Sequence, residues 1–140
     1  MSDEFNKYYV ITVKGDSMTP LYPALAKIIA VSARNNIDIG DIIILRYFNS
    51  IIVHRVIFLD DKYVITKGDN NLHFDRKRSR GNILGKAVSN NKNNFKIARF
   101  SYLVGYIKDN FGRDNSLTIL VYCIFQKYLK AKQEILRLII

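Results

Sequence analysis

Between Tyr8 and Val88 the chain repeats one device, a short run of β-branched and aromatic residues followed by a cluster of turn formers. Val, Ile, Thr, Tyr and Phe suit a pleated, half-buried surface, whereas Gly, Asn and Asp supply the backbone conformations of turns. Residues 8–13 are the first run and end at Gly15-Asp16; residues 24–33 mix alternation with a run of Ile and Val that suits a strand or a short helix, and read here as a strand. Residues 35–38 are turn chemistry. Residues 42–47 and 51–59 flank Asn49-Ser50, the pattern of two strands joined by a tight turn. Asp60-Asp61 separates them from a strand at 63–66, residues 68–71 are four turn formers in a row, and a last short strand covers 83–88. This spacing predicts a mainly β fold, a compact antiparallel sheet or small barrel.

The C-terminal third changes period. Residues 101–111 and 116–140 carry apolar side chains at helical spacing, with Asn115 or Ser116 as the cap of the second helix. The chain therefore divides into a β domain over 1–100 and a helical extension over 101–140. In the second helix Leu117, Leu120, Val121, Ile124, Tyr128, Ala131, Ile135 and Leu138 follow steps of three and four, and Lys127, Lys130, Lys132 and Arg137 interrupt them. Its uninterrupted apolar run, 117–125, is about half of what a bilayer requires. The expectation is an amphipathic helix that packs on the body or on a partner protein, or lies on a membrane surface. Residues 1–7 are polar and hold no apolar segment of signal-peptide length, which points to a cytoplasmic or peripherally membrane-associated protein.

With 140 residues and 49% hydrophobic content, the chain supports one globular unit with a core. A formal charge of +10 invites polyanions, yet the basic residues are spread out except for Arg76, Lys77, Arg78 and Arg80. A run so short, with no aromatic residues interleaved, reads as a solvated loop, and no nucleic-acid partner is expected. Cys123 is the single cysteine, so no internal disulfide forms; in its apolar run it reads as a buried small hydrophobe. No His, Cys and carboxylate grouping has metal-ligand spacing and no glycine-rich loop precedes a helix, so neither metal nor cofactor is expected.

Three segments carry side chains suited to chemistry. Gly15-Asp16-Ser17-Met18-Thr19-Pro20 presents a serine on a tight turn, where the hydroxyl is accessible and nearby N–H groups can face a carbonyl. Val53-His54-Arg55-Val56 puts an imidazole in an apolar strand, a position open to a general base. Thr66-Lys67-Gly68-Asp69-Asn70-Asn71, with Asp75 beyond it, brings two carboxylates of which either can orient an imidazole. His73 in the same loop reads as solvated, and each segment alone is a weak signal.

In this order, and with Ile39-Gly40-Asp41-Ile42-Ile43 between the first and second, the segments resemble four sequence boxes of the signal peptidase I superfamily, which also includes the self-cleaving LexA-type repressors. The resemblance covers about residues 10–88 and implies a LexA-like compact antiparallel β domain, followed here by two C-terminal helices. It implies Ser17 as nucleophile, His54 as general base and an aspartate to hold the ring, Asp75 before Asp69, because Asp69 is expected to hold its own turn. Bacterial members and repressors carry a lysine in the general-base box, whereas the archaeal and endoplasmic-reticulum type carries histidine, as here. Gly15, Asp16 and Met18 flank the nucleophile as substrate-binding and oxyanion candidates. Where some relatives place a hydroxyl, this chain has Gly15, so the hole rests on backbone N–H groups, chiefly that of Ser17; losing one such donor typically costs about 3 kcal/mol.

The function implied is a serine endopeptidase that cleaves a signal or leader peptide through a Ser17 acyl-enzyme. Its partner is a peptide or preprotein substrate. Two alternatives follow from other features: a cytosolic maturation protease for a small modified peptide, and an inactive β-fold module whose basic surface holds nucleic acid or anionic membrane.

Overall fold

The computed structural model describes residues 7–32, 36–88, 94–112 and 116–139. Seven strands form one antiparallel sheet: β1 Tyr8–Thr12, β2 Lys27–Val31, β3 Ile42–Tyr47, β4 Ser50–Leu59, β5 Tyr63–Lys67, β6 Arg78–Ser79 and β7 Ile83–Ala87, in the spatial order β1-β2-β7-β3-β4-β5-β6. Two helices follow, α1 Asn94–Phe111 and α2 Ser116–Ile139. The fold is mainly β with two C-terminal helices, as the sequence predicts.

Strand β3 is the centre of the packing. Neighbouring side chains on a strand point to opposite faces, so an unbroken apolar run has to be covered on both. Ile42 and Ile44 accordingly enter a cluster with Val13, Met18, Ile28, Ala30, Val53 and Ala87, while Ile43 and Leu45 enter another with Ile37, Val56, Val64 and Ile83. Strand β2 alternates instead, with Ile28 and Ala30 buried and Ile29 exposed, and so has one covered face. The Gly40-Asp41 entry to β3 has a local cause. Gly40 takes φ +99°, a region that favours glycine, and its N–H donates to the Val56 carbonyl at 2.9 Å. Asp41 then accepts from the Asp38 N–H at 2.8 Å and pairs with Lys86 at 2.7 Å.

Strand β4 runs for ten residues, and β5 pairs with it only from Arg55 to Leu59. Among the described residues, positions 50–54 therefore keep an open edge on that side. His54 is the last residue before the ladder closes.

Several expectations are corrected. Helix α1 begins at Asn94, not at residue 101; Ile97, Ala98, Ser101, Val104 and Ile107 are its buried stripe. A two-residue strand, β6, lies inside the basic run that reads as a loop. The face that α2 packs inward is Thr118, Phe125 and Leu129, with Val121 and Tyr122 partly covered, whereas Leu117, Leu120, Ile124 and Tyr128 are exposed. Helical spacing alone cannot choose between adjacent stripes when both are apolar. Cys123 lies on the uncovered side and is exposed, not buried. Asn35 of the expected turn, the cap residue Asn115, the segment before Lys7, and the side chains of Lys132, Ile135, Arg137 and Leu138 lie outside the described residues.

Among the described residues no helix is long and apolar enough to cross a membrane. The helices pack on the loops after β1 and β5 through a third cluster, in which Ile97, Val104, Phe125 and Leu129 meet Leu21 and Leu72. This arrangement of α2 separates two substitutions. Phe125→Ala should cost about 3–5 kcal/mol in denaturant unfolding, because a fully buried ring leaves a cavity, whereas Leu120→Ala should change stability by less than about 0.5 kcal/mol. The reverse order would mean that α2 packs by its other stripe.

Candidate functional site

The serine turn is built around one left-handed residue and one core anchor. Gly15 takes φ +79°, which turns the chain out of β1. Just beyond it the Thr19 N–H closes onto the Asp16 carbonyl at 2.9 Å, and the Met18 side chain drops into the core fully buried. Ser17 is left half-buried between them. Among the described residues its N–H donates to no protein group.

His54 stands opposite Ile43 in the β3–β4 ladder and is 7% exposed. Its Nε2 lies 3.1 Å from Ser17 Oγ and its Nδ1 2.6 Å from Asp75 Oδ2. An ionised carboxylate only accepts, so Nδ1 carries the ring proton and Nε2 presents its lone pair to the serine hydroxyl, which donates. Asp75 is itself fixed: its N–H donates to the Thr66 carbonyl at 2.8 Å, and the Thr66 hydroxyl donates to Oδ2 at 2.6 Å. Three segments thus bring Ser17, His54 and Asp75 into one hydrogen-bonded series.

Asp69 goes elsewhere. Expected to hold its own turn or to serve the imidazole, it instead accepts from Arg55 Nε and Nη2 at 2.8 and 2.7 Å, and both side chains are fully buried. Arg55 Nη1 donates to the Gly40 carbonyl at 2.8 Å, so one guanidinium ties β4, the loop after β5 and the entry to β3. The planar fork meets the carboxylate by two parallel bonds, the geometry that makes a buried charge tolerable. Arg55 adjoins the imidazole within the sequence motif, but its partner in space has no signal in sequence spacing.

Lys67, also fully buried, donates from Nζ to Ser101 Oγ of α1 at 2.9 Å and to the Gly68 carbonyl at 3.3 Å. Burial lowers its pKa to about 8 from 10.5, opposed by the carboxylates of Asp69 and Asp75 and assisted by the nearby Arg55 cation. Gly68 is required by space, because a Cβ there would stand 2.7 Å from the Ser17 carbonyl oxygen. The loop after β5 is consequently in backbone contact with the serine turn, and the Asn70 N–H donates to that same carbonyl at 2.8 Å.

The flanking candidates divide. Gly15 and Asp16 are exposed beside the serine, but the Met18 side chain belongs to the core, so only its backbone can face a substrate. His73 is exposed. The basic run does have aromatic partners: Arg78 lies 4.3 and 4.2 Å from the rings of Tyr47 and Phe48, and Lys77 lies 4.0 Å from that of Tyr63. Those rings come from β3, the β3–β4 turn and β5, which is why the run looks solvated when read alone. Among the described residues no group of three His, Cys, Asp or Glu is placed to hold a metal ion.

A groove of about 540 Å³ leads to the Ser17–His54 pair, walled by residues 11–14 on one side and 49–53 on the other. A larger and more open depression of about 730 Å³ runs along α1 past Ile39, Ile57 and Leu103, away from this pair. The smaller one is lined by both Ser17 and His54, the larger by neither.

The Peptidase S24-like family model matches residues 1–88, which hold Ser17, His54, Asp69 and Asp75 and leave out both helices. Searches of curated proteins and of solved structures return no match.

Two measurements test this electrostatic arrangement. Asp69→Ala leaves a buried guanidinium without its counter-ion and should cost about 3–5 kcal/mol in chemical denaturation; a loss below about 1 kcal/mol would mean that water reaches Arg55. Because the folded pKa of Lys67 is depressed, the unfolded chain binds more protons between about pH 8 and pH 10.5, and wild-type stability gains from this group as pH rises through that window. Relative to wild type, Lys67→Met should therefore lose ground over the same window, and a pH-independent difference would contradict the shift.

Proposed function

Since this chain belongs to the Peptidase S24-like family, we propose that it is a serine endopeptidase of the signal peptidase I type, with Ser17 as nucleophile, His54 as general base and Asp75 as the group that orients the imidazole. The observation that carries this reading is the pair of contacts on one ring, Ser17 Oγ at 3.1 Å from Nε2 and Asp75 Oδ2 at 2.6 Å from Nδ1. A histidine rather than a lysine at position 54 favours the archaeal and endoplasmic-reticulum type over the bacterial and repressor types.

In the acylation step Ser17 Oγ attacks the substrate carbonyl carbon while its proton moves to His54 Nε2, and the carbonyl π electrons become the oxyanion. The imidazolium formed is stabilised by the Asp75 carboxylate and passes its proton to the departing amine as the C–N bond breaks. Water then repeats the sequence on the ester, with His54 taking its proton, and frees Ser17. The Ser17 N–H is the oxyanion donor in this reading, as Gly15 brings no hydroxyl.

The substrate is an extended peptide with small residues at the cleavage site, from a signal or leader segment. The groove beside Ser17 supports this, because the edge of β4 at residues 50–54 has backbone groups open to a strand added alongside. Ser17→Ala and His54→Ala should each reduce cleavage of a peptide containing Ala-X-Ala by at least about 10³-fold. Full turnover by either variant would remove the dyad from the mechanism.

A further inference from the structure

Both helices lie beyond the stretch matched by the family, yet they reach its loop 67–72 at several consecutive points. Lys67 donates to Ser101 of α1, the Asp69 carbonyl accepts from Gln126 Nε2 at 3.0 Å, and the Tyr122 hydroxyl lies 2.6 Å from Asn70 Oδ1 and 3.1 Å from the Asn70 carbonyl. Leu72 packs into the helix cluster. A similar seat exists nearer Asp75: a Cβ on Gly105 of α1 would stand 2.5 Å from the Phe74 ring, so the absence of a side chain there makes room for the residue next to Asp75.

Asn70 is where these contacts meet the serine. Its side-chain amide has both ends committed in a single orientation, Oδ1 accepting from Tyr122 and Nδ2 donating to the Asp16 carbonyl at 3.2 Å. Its backbone N–H donates to the Ser17 carbonyl at 2.8 Å. Beneath, the Ser17 turn is anchored by the buried Met18; from the side, Asn70 holds two successive carbonyls of that turn, those of Asp16 and Ser17. The turn's own bond, from the Thr19 N–H to the Asp16 carbonyl at 2.9 Å, closes it locally, whereas Asn70 ties it to the loop after β5.

We propose that Tyr122 is a positioning residue for Ser17, acting through Asn70, so that the docked α2 helix sets the aim of the nucleophile. This rests on the reading of Ser17 as nucleophile. Displacement of Oγ by a fraction of its 3.1 Å contact would weaken proton transfer to His54 without altering the groove that binds substrate. The site in this chain is then incomplete without its C-terminal helix, and anything that lifts α2 from the loop slows the chemistry.

The test uses the full chain with Tyr122→Phe, which keeps the ring in its cluster and removes only the hydroxyl, and Gln126→Met as a second variant. On the Ala-X-Ala peptide, Tyr122→Phe should lower kcat roughly tenfold, the size of one lost hydrogen bond, while KM stays within about twofold. The pH midpoint of kcat/KM should not move, since the His54–Asp75 contact is untouched. In parallel, hydrogen exchange of the Asn70 amide should quicken roughly tenfold while the amides of Ile43 and Ile44 keep wild-type rates. Unchanged kcat overturns the proposal, as does unchanged exchange at Asn70, and so does a KM rise with kcat retained. Should the wild-type chain fail to cleave any such peptide, the peptidase reading falls, and the Asn70 exchange rate alone decides whether Tyr122 holds the serine turn.

Discussion

The contact on which the shape of this site depends is the buried pair between Arg55 and Asp69. Two ions removed from water have few alternative arrangements, because any position that breaks one of their hydrogen bonds leaves a charge uncompensated in a medium of low dielectric. Arg55 neighbours His54 on β4, and Asp69 neighbours Asn70 in the loop after β5. Locking the two together at 2.7 and 2.8 Å therefore fixes the imidazole relative to the loop that touches the serine turn. The third guanidinium bond, to the Gly40 carbonyl, extends the same constraint to the start of β3.

From that anchor the arrangement follows in short steps. Gly68, with no side chain, lets the loop approach the Ser17 carbonyl, and Asn70 bonds to it. Farther along, the chain returns to β5, where Asp75 pairs with Thr66 through both main chain and side chain before it meets His54. The helices cover the loop from outside. A lysine fully buried beneath them, bonded to Ser101, fits the same picture of a loop held by its surroundings in addition to its own Asn71-to-Gly68 bond.

Much of the fold was readable because strand signals are local. A run that is apolar at every position, as at residues 42–45, declares a strand covered on both faces, and Gly15, Gly40 and the loop 68–71 mark the turns of the sheet. The juxtaposition of Ser17, His54 and Asp75 was legible only through the order of the sequence boxes, since no periodicity relates residues on three separate segments. What stayed hidden depends on partners distant along the chain. Asp69 looks like a turn residue because its partner Arg55 lies on the neighbouring strand, and the basic run looks bare because its aromatic rings belong to other segments. For α2, two adjacent apolar stripes compete, and Phe100 against Phe125, with Leu21 in the same cluster, decides which one turns inward.

The proposed chemistry requires a His54 ring that carries its proton on Nδ1, facing Asp75, and leaves Nε2 open to the proton of Ser17. Long-range proton–nitrogen NMR correlation on the histidine-labelled chain above the imidazole titration reads this tautomer directly. The expected result is a protonated Nδ1 and an unprotonated Nε2 in the wild type, with that proton lost or redistributed in Asp75→Asn. A ring protonated at Nε2, or one whose tautomer ignores the Asp75 substitution, would contradict it.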